Sequence, residues 1–193
     1  MPSSVADLAA LGKLFEENRP RLLSMLQRRI DDSLAARIDP DDVLNEAFLD
    51  ARSKYPRFKE QASMTPYAWL YRIVLDTLIR LWRQHNRLGR DVHREMPFPE
   101  RSSLQLGLGL IQRRASPSSA AANAEVQRAV RQTVELLKEK DRQLLWMRHQ
   151  DGLSYAEIAS VLDVTDNAAM VRYTRALKRF KELWHRLFPE SKN

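Results

Sequence analysis

The apolar residues of the chain recur at the three- and four-residue spacing of amphipathic helices. The chain has only five Gly and few runs of β-branched residues, so it is predicted to be all-α. In the N-terminal half the pattern predicts three long helices, over residues 5–30, 39–56 and 65–89. Pro20 is expected to kink or split the first of these helices, and Pro56 is expected to end the second.

The C-terminal half ends in a pattern typical of a helix-turn-helix motif. Ser154 and Glu157 have the spacing of a capping box, which predicts a short helix over residues 154–162. Thr165 or Asp166 can cap a longer helix after a tight turn. In such a motif the second helix lies in the major groove, and its N-terminal residues contact base edges. The residues predicted to contact DNA from this helix are Thr165, Asn167, Ala168, Arg172, Arg175, Lys178 and Arg179.

The last helix also allows a simpler interpretation. Its apolar stripe is formed by Ala169, Tyr173, Ala176 and Phe180, and its Arg and Lys residues lie off that stripe. The same pattern fits the end of a helical bundle whose basic outer face binds nothing. The motif alone therefore leaves DNA binding and a purely structural role open.

Composition divides the chain into two parts. Residues 93–122 hold three Pro, several Ser and two Gly without a helical period, which predicts a linker. The apolar residues within this segment indicate that part of it docks on another surface. The predicted organisation is a helical domain over residues 1–92, the linker, and a four-helix domain over residues 123–193 in which Asp141 caps one helix.

The charge of the chain favours a polyanionic partner. The net charge is +7 at pH 7 and the sequence pI is about 9.9, which is typical of nucleic-acid-binding proteins. The absence of Cys excludes disulfides, Cys-based zinc sites and thiol catalysis. No apolar run reaches the roughly 20 residues that cross a bilayer, and the N-terminus does not resemble a signal peptide. We therefore expect a cytoplasmic protein without membrane insertion.

No catalytic or metal-binding constellation is expected. The four His residues are scattered, and the sequence has no Gly-rich phosphate loop. The acidic residues Asp39, Asp41, Asp42 and Glu46 could be imagined as a metal site. Their positions suit the positive N-terminal end of a helix and a solvated face better. The sequence predicts a protein that is not an enzyme and that uses no cofactor and no metal.

The third predicted helix mixes aromatic residues with Arg. Tyr67, Trp69, Tyr71 and Trp82 alternate there with basic side chains. Bases of single-stranded nucleic acid stack on such rings while guanidinium groups hold phosphates. The alternative is that the rings complete a small hydrophobic core. The residues predicted to contact single-stranded DNA are Trp69, Arg72, Asp76, Arg80 and Arg83.

The order of these segments resembles a known family. An acidic-capped helix, "DPDDVLNEAFLDA", is followed by "YAWLYRIVLDTLIRLWR", a linker, and the segment "LLKEKDRQLLWMRHQDGLSYAEIASVLDVTDNAAMVRYTRALKRF". This arrangement is similar to bacterial extracytoplasmic-function sigma factors, two-domain members of the sigma-70-like family. The resemblance covers nearly the whole chain and is weakest in the linker. It implies two small helical domains, region two and region four, joined by a flexible linker.

The resemblance also implies a role for each matching segment. The "DxxxExF" helix of the family packs on core RNA polymerase, and its matching surface here comprises Asp41, Asp42, Asn45, Glu46, Phe48 and Leu49. The "WLYRI" segment opens the helix that melts the promoter, and the loop before it, residues 58–64, captures a flipped base of the non-template strand. The "sYxEIA" and "RA" segments belong to the region that binds the duplex upstream element. An anti-sigma factor is a further candidate partner.

The chain departs from the family pattern at a few positions. Asp163 stands where the family usually has Gly, Asn45 replaces a common Gln, and Asp76 replaces a common Asn. The loop before Trp69 is slightly longer than usual, and Ala168–Ala169 replace a common Thr–Val. Asp76 and the loop lie where the family reads bases, so these differences are expected to affect the promoter sequence preference and to leave the fold unchanged.

Two other functions fit parts of the sequence. A helix-turn-helix regulator could bind duplex DNA without polymerase, although "DPDDVLNEAF" and "WLYRI" are not expected in its effector domain. A helical adaptor could instead sequester a protein partner, and it would not be expected to need high salt for elution from heparin.

Overall fold

The computed structural model describes residues 5–30, 32–60, 64–86 and 120–188. These residues form helices and their connecting turns, without a strand, so the predicted all-α fold is confirmed for them. The helices are α1 (Val5–Arg29), α2 (Asp32–Ala35), α3 (Pro40–Glu60), α4 (Pro66–Asn86), α5 (Ala120–Glu135), α6 (Glu139–His149), α7 (Tyr155–Leu162) and α8 (Asp166–Leu187).

The chain divides into two compact units, Met1–Pro97 and Phe98–Asn193. Helices α1 to α4 belong to the first unit and α5 to α8 belong to the second. Most of the predicted linker lies outside the described residues, including its apolar segment. Helix α5 begins at Ala120, slightly before the predicted start of the C-terminal domain at residue 123.

The core of the N-terminal unit lies between α1, α3 and α4. Leu11, Phe15, Leu22 and Leu26 of α1 are buried as their spacing predicts, whereas Leu8 is 40% exposed. Pro20 does not split α1, which continues from Val5 to Arg29. The buried residues on both sides of Pro20 hold the two halves of the helix against the same core.

Helix α3 begins as predicted and ends later than predicted. The Asp39 carboxylate accepts a hydrogen bond from the Asp41 backbone N–H, which caps the helix start. The helix then passes through Pro56 and ends at Glu60, so the prediction that Pro56 ends it is wrong. Beyond Pro56, the Phe58 ring stacks on Trp69 of α4 with 4.2 Å between ring centroids. This tertiary contact favours an additional helical turn.

The C-terminal unit is organised around α8, which packs against α5, α6 and α7. Helix α6 begins at Glu139 with Lys138 as its N-cap and without a side-chain cap, so the prediction that Asp141 caps this helix is wrong. Asp141 lies within the first turn, where its carboxylate accepts two hydrogen bonds from Arg179. The carboxylate is therefore bound to a distant cation instead of the local backbone.

The helix-turn-helix pattern is confirmed in detail. Ser154 and Glu157 form the reciprocal capping box at the start of α7. The Thr165 hydroxyl accepts a hydrogen bond from the Ala168 backbone N–H and caps α8. Between the two helices, Asp163 adopts a left-handed conformation with φ of 53°. This turn places α8 against α7.

We expect Asp163→Gly to stabilise the protein. An L-residue pays a steric penalty of roughly 1–2 kcal/mol in the left-handed region, which Gly avoids, while Gly loses roughly 0.5–1 kcal/mol more backbone entropy. The net gain expected is about 0.5 kcal/mol. Asp163→Val should destabilise the protein, because a β-branched residue tolerates this conformation poorly. Thermal denaturation of the three proteins tests this order, and a Val variant as stable as the Gly variant would contradict it.

Candidate nucleic-acid interface

The outward face of α8 presents most of the residues predicted to contact duplex DNA. Helical geometry puts this face opposite the buried residues Ala169, Ala176 and Phe180. Ala168 is half-buried, and Thr165 precedes the helix as its exposed N-cap. The exposed side chains along the helix include Asn167, Arg172, Arg175 and Lys178. The start of α8 is therefore open to a ligand, and the exposed cations follow from Arg172 onward.

Arg179 differs from the other described cations of α8 because it is bound by the carboxylate of Asp141 on α6. Its guanidinium donates two hydrogen bonds to the Asp141 carboxylate, with N–O distances of 2.6 and 2.5 Å. The bonded Asp141 side chain raises the pKa of Arg179. Two of its donors are therefore already bound within the folded protein, and its contact with DNA stays a prediction. Its donors join α8 to α6, because the fold brings the nearly buried Asp141 carboxylate beside it.

A polar aromatic cluster lies among α6, α7 and α8. His149 Nε2 is 2.8 Å from the Tyr173 hydroxyl, and the Tyr173 ring meets Tyr155 edge to face. Burial lowers the pKa of the His149 imidazole, and the positive charge of Arg148 lowers it further. Burial also raises the pKa of the Tyr173 phenol. The cluster could not be predicted from the sequence, since no local spacing connects residues on three different helices.

Stability should decrease in acid because of His149. Its lowered pKa means that the folded state binds a proton less readily than the unfolded chain, whose His pKa is about 6.5. The free energy of unfolding should therefore fall as pH decreases through and below about 6.5. Thermal denaturation at several pH values should show that acid lowers the stability of His149→Gln less than that of the wild-type protein. His185→Gln, at an exposed position, serves as the control. If stability depended on pH equally in both variants, the acid effect could not be assigned to His149.

A stripe of charged side chains follows the surface of α4. Arg72, Asp76, Arg80 and Arg83 are exposed and recur at steps of four, four and three, so they share one side of the helix. Three of the four side chains are cations. This stripe can hold phosphate groups of a nucleic acid along about three helical turns.

The described ion pair of this stripe joins α4 to α3. Arg80 donates a hydrogen bond to Glu46 of α3 at 2.8 Å and lies 3.9 Å from Asp50. In the part of the chain that the structure describes, Asp76 has no ion pair within 4 Å. Partial desolvation raises the pKa of the Asp76 carboxyl, while the charge of Arg72 opposes that rise.

The aromatic rings of α4 belong to the core. Tyr67, Trp69, Tyr71 and Trp82 are all buried, with Trp69 only 8% exposed. The Trp69 ring lies between α3 and α4, stacked on half-buried Phe58, instead of standing open to a base. Of the predicted base-capturing loop, residues 58–60 are helical and residues 61–63 lie outside the described part. These rings therefore fix the position of the charged stripe.

The residues predicted to contact polymerase form an exposed face of α3. Asp42 and Asn45 are exposed, and Leu49 is 57% exposed, although it is a large apolar residue. Asp41 accepts a hydrogen bond from Arg19 at 2.6 Å, and Glu46 accepts one from Arg80. Phe48 is half-buried and meets Phe15 edge to face with 5.2 Å between ring centroids. The face thus combines carboxylates with an exposed apolar side chain.

The described residues contain no group of three or more His, Asp or Glu side chains able to hold a metal ion. None of the described helices is long and apolar enough to cross a membrane.

Two family models match the two units separately. The model for sigma-70 region 2 matches residues 14–88, and the model for sigma-70 region 4 matches residues 127–180. The first match contains α3 and α4, and the second contains α7 and most of α8. Together they span more than half of the chain, which belongs to the sigma-70 family. Within that family it is an extracytoplasmic-function (ECF) sigma factor.

Two relatives that are similar in sequence agree with this assignment. The ECF RNA polymerase sigma-E factor of Escherichia coli strain K12 is 27% identical over 170 residues, covering 88% of this chain and 84% of that protein. The ECF RNA polymerase sigma factor SigD of Mycobacterium bovis is 28% identical over 178 residues, covering 91% and 77%. A solved structure of CnrH in complex with the cytosolic domain of CnrY has 22% identity and a TM-score of 0.47, covering 91% of this chain and 87% of that chain.

Proposed function

We propose that this ECF sigma factor binds core RNA polymerase through α3 and promoter DNA through α4 and α8. The observation that carries the proposal is the occurrence, in one chain, of the acidic α3 face and two cationic helix faces. The acidic residues and exposed Leu49 of α3 suit a protein surface, because they combine charge complementarity with an apolar contact. The two cationic faces suit phosphates.

The C-terminal unit would bind the duplex upstream element. The capped start of α8 directs Asn167, Arg172 and Arg175 toward the position that base edges occupy in helix-turn-helix complexes. An Arg can donate two hydrogen bonds to guanine, and an Asn can pair with adenine in the same way. Lys178 lies farther along the helix and would hold a phosphate.

The N-terminal unit would hold the melted non-template strand. Arg72, Arg80 and Arg83 offer a row of guanidinium groups for its phosphates. Trp69 would contribute by supporting Phe58 at the end of α3, where the predicted base-capturing segment begins. We propose that the protein acts in the cytoplasm, without enzymatic activity, cofactor or metal, and that an anti-sigma protein can regulate it.

The proposal is tested by adding the protein to core RNA polymerase and mapping run-off transcripts on genomic DNA. Transcription from a defined set of start sites that requires both components is the expected result. Sequence-specific duplex binding without any effect on core polymerase would instead support a helix-turn-helix regulator. Failure to bind polymerase and weak retention on heparin would support a helical adaptor.

Asp76→Asn should change base preference in the melted region. The carboxylate only accepts hydrogen bonds, whereas an amide also donates them, so the two side chains favour different base edges. Stability should not fall, because desolvation already disfavours the charged Asp76 side chain. A promoter library randomised in the melted region and transcribed by both proteins measures the preference. Identical preferences at every position would assign Asp76 to the helix surface alone.

A further inference from the structure

An apolar side chain stands at the centre of the outward face of α8. Val171 follows buried Ala169 by two residues, which puts it on the opposite side of the helix. It is 37% exposed, and its neighbour Met170 is 45% exposed. One turn before Val171 lies exposed Asn167, and one turn after it lies exposed Arg175. Val171 therefore interrupts a row of polar groups.

Thr174 extends the apolar character of this position. The side chains of Val171 and Thr174 are three residues apart, so they are neighbours on the helix surface. The Thr174 hydroxyl donates its hydrogen to the Met170 carbonyl oxygen at 3.0 Å. That hydrogen is consequently not available to a base, while the other branch of the exposed side chain is a methyl group. The two residues together offer methyl groups where hydrogen-bond donors would otherwise be expected.

The surroundings of these methyl groups indicate what they contact. A single exposed apolar residue needs no explanation on an ordinary surface. Here the flanking Arg172, Arg175 and Lys178 make the face complementary to a polyanion, which disfavours an apolar protein partner. In the major groove, the apolar group on a base edge is the C5-methyl of thymine.

We propose that Val171, together with Thr174, contacts thymine methyl groups in the upstream duplex. This inference rests on the proposed function and adds a specificity-determining contact to it. Part of the base preference would then depend on apolar contact and not on a hydrogen bond. The neighbouring Asn167 suits adenine, which is the pairing partner of thymine, so both residues would favour A·T pairs.

The test uses holoenzyme reconstituted from the full chain and core RNA polymerase. An upstream duplex is first selected from a library randomised in that region. Each thymine of the selected duplex is then replaced in turn by deoxyuridine, which lacks only the C5-methyl group. At one or two positions we expect affinity to fall about fourfold, equivalent to about 0.8 kcal/mol for one buried methylene-sized group. Replacement elsewhere in the duplex should have no effect.

Val171→Ala provides the decisive comparison, and Ala favours the helix, so the variant should fold. Its affinity should depend less on the thymine methyl at the position that Val171 contacts, whereas a position that Thr174 contacts should keep its dependence. Leu187→Ala is the matched control, because Leu187 is also 37% exposed on α8 but far from its start, and it should keep the wild-type dependence.

The remaining outcomes overturn either the thymine-methyl contact alone or the proposed function as well. Equal wild-type affinity for thymine and deoxyuridine at every position would overturn the inference while leaving the proposed function intact. An unchanged methyl dependence in Val171→Ala would also overturn it. Failure of the holoenzyme to select any upstream duplex would reject the proposed function, and the inference with it.

Discussion

Replacing Glu46 by Lys should abolish binding to core RNA polymerase. The substitution reverses one charge on the acidic face of α3 and puts the new cation beside Arg80, which now binds Glu46 at 2.8 Å. A like charge across an interface costs several kcal/mol, enough to reduce affinity by more than a hundredfold. Co-purification with core enzyme measures the effect. Unchanged binding would mean that the acidic face of α3 faces solvent and does not contact polymerase.

Arg80→Ala is the matched control for this variant. It breaks the same ion pair but leaves every carboxylate of α3 in position. Exposed ion pairs contribute about 0–1 kcal/mol, so neither variant should unfold the N-terminal unit. Arg80→Ala should therefore retain core binding and lose affinity for the melted strand. If both variants lost core binding equally, the ion pair itself would be required and not the charge of α3.

Replacing Arg175 by Ala should have the second large effect, on recognition of the upstream duplex. If its guanidinium donates two hydrogen bonds to a guanine, the variant loses about 1–3 kcal/mol of binding free energy and the preference at that base pair. If it contacts only phosphate, affinity should fall evenly across sequences and the salt dependence should become shallower. The same two outcomes distinguish a guanine contact from a phosphate contact for Arg172→Ala. Wild-type affinity and specificity in both variants would exclude α8 as the recognition helix.

Arg179→Ala tests whether removal of any cation on α8 impairs recognition of the upstream duplex. Its side chain is held by Asp141, so removing it leaves a nearly buried carboxylate without its two donors. We expect a loss of about 1–3 kcal/mol of stability and an unchanged base preference. Binding and thermal denaturation, measured together, separate the two roles. A changed base preference without a loss of stability would contradict the structural assignment of Arg179.

Local interactions explain why much of the fold could be predicted from the sequence. The caps at Asp39, Ser154 and Thr165 each depend on a side chain and a backbone N–H two or three residues away. Interactions of that range are determined by spacing alone. The apolar stripe of α8 is equally local, since three of its four predicted residues are buried and the fourth, Tyr173, is half-buried. The helix-turn-helix was therefore predictable, together with its exposed cations.

Tertiary structure decided the features that depend on residues far apart in the chain. The extension of α3 beyond Pro56 follows from packing of Phe58 on Trp69, which outweighs the local effect of Pro. Arg179 and Arg80 look equivalent to their neighbouring Arg residues in the sequence. In the folded protein they differ, because Arg179 binds Asp141 and Arg80 binds Glu46, in each case on another helix. Short-range spacing determined the helices and their caps, whereas long-range packing decided which of their charged and aromatic side chains are buried or bound to another helix.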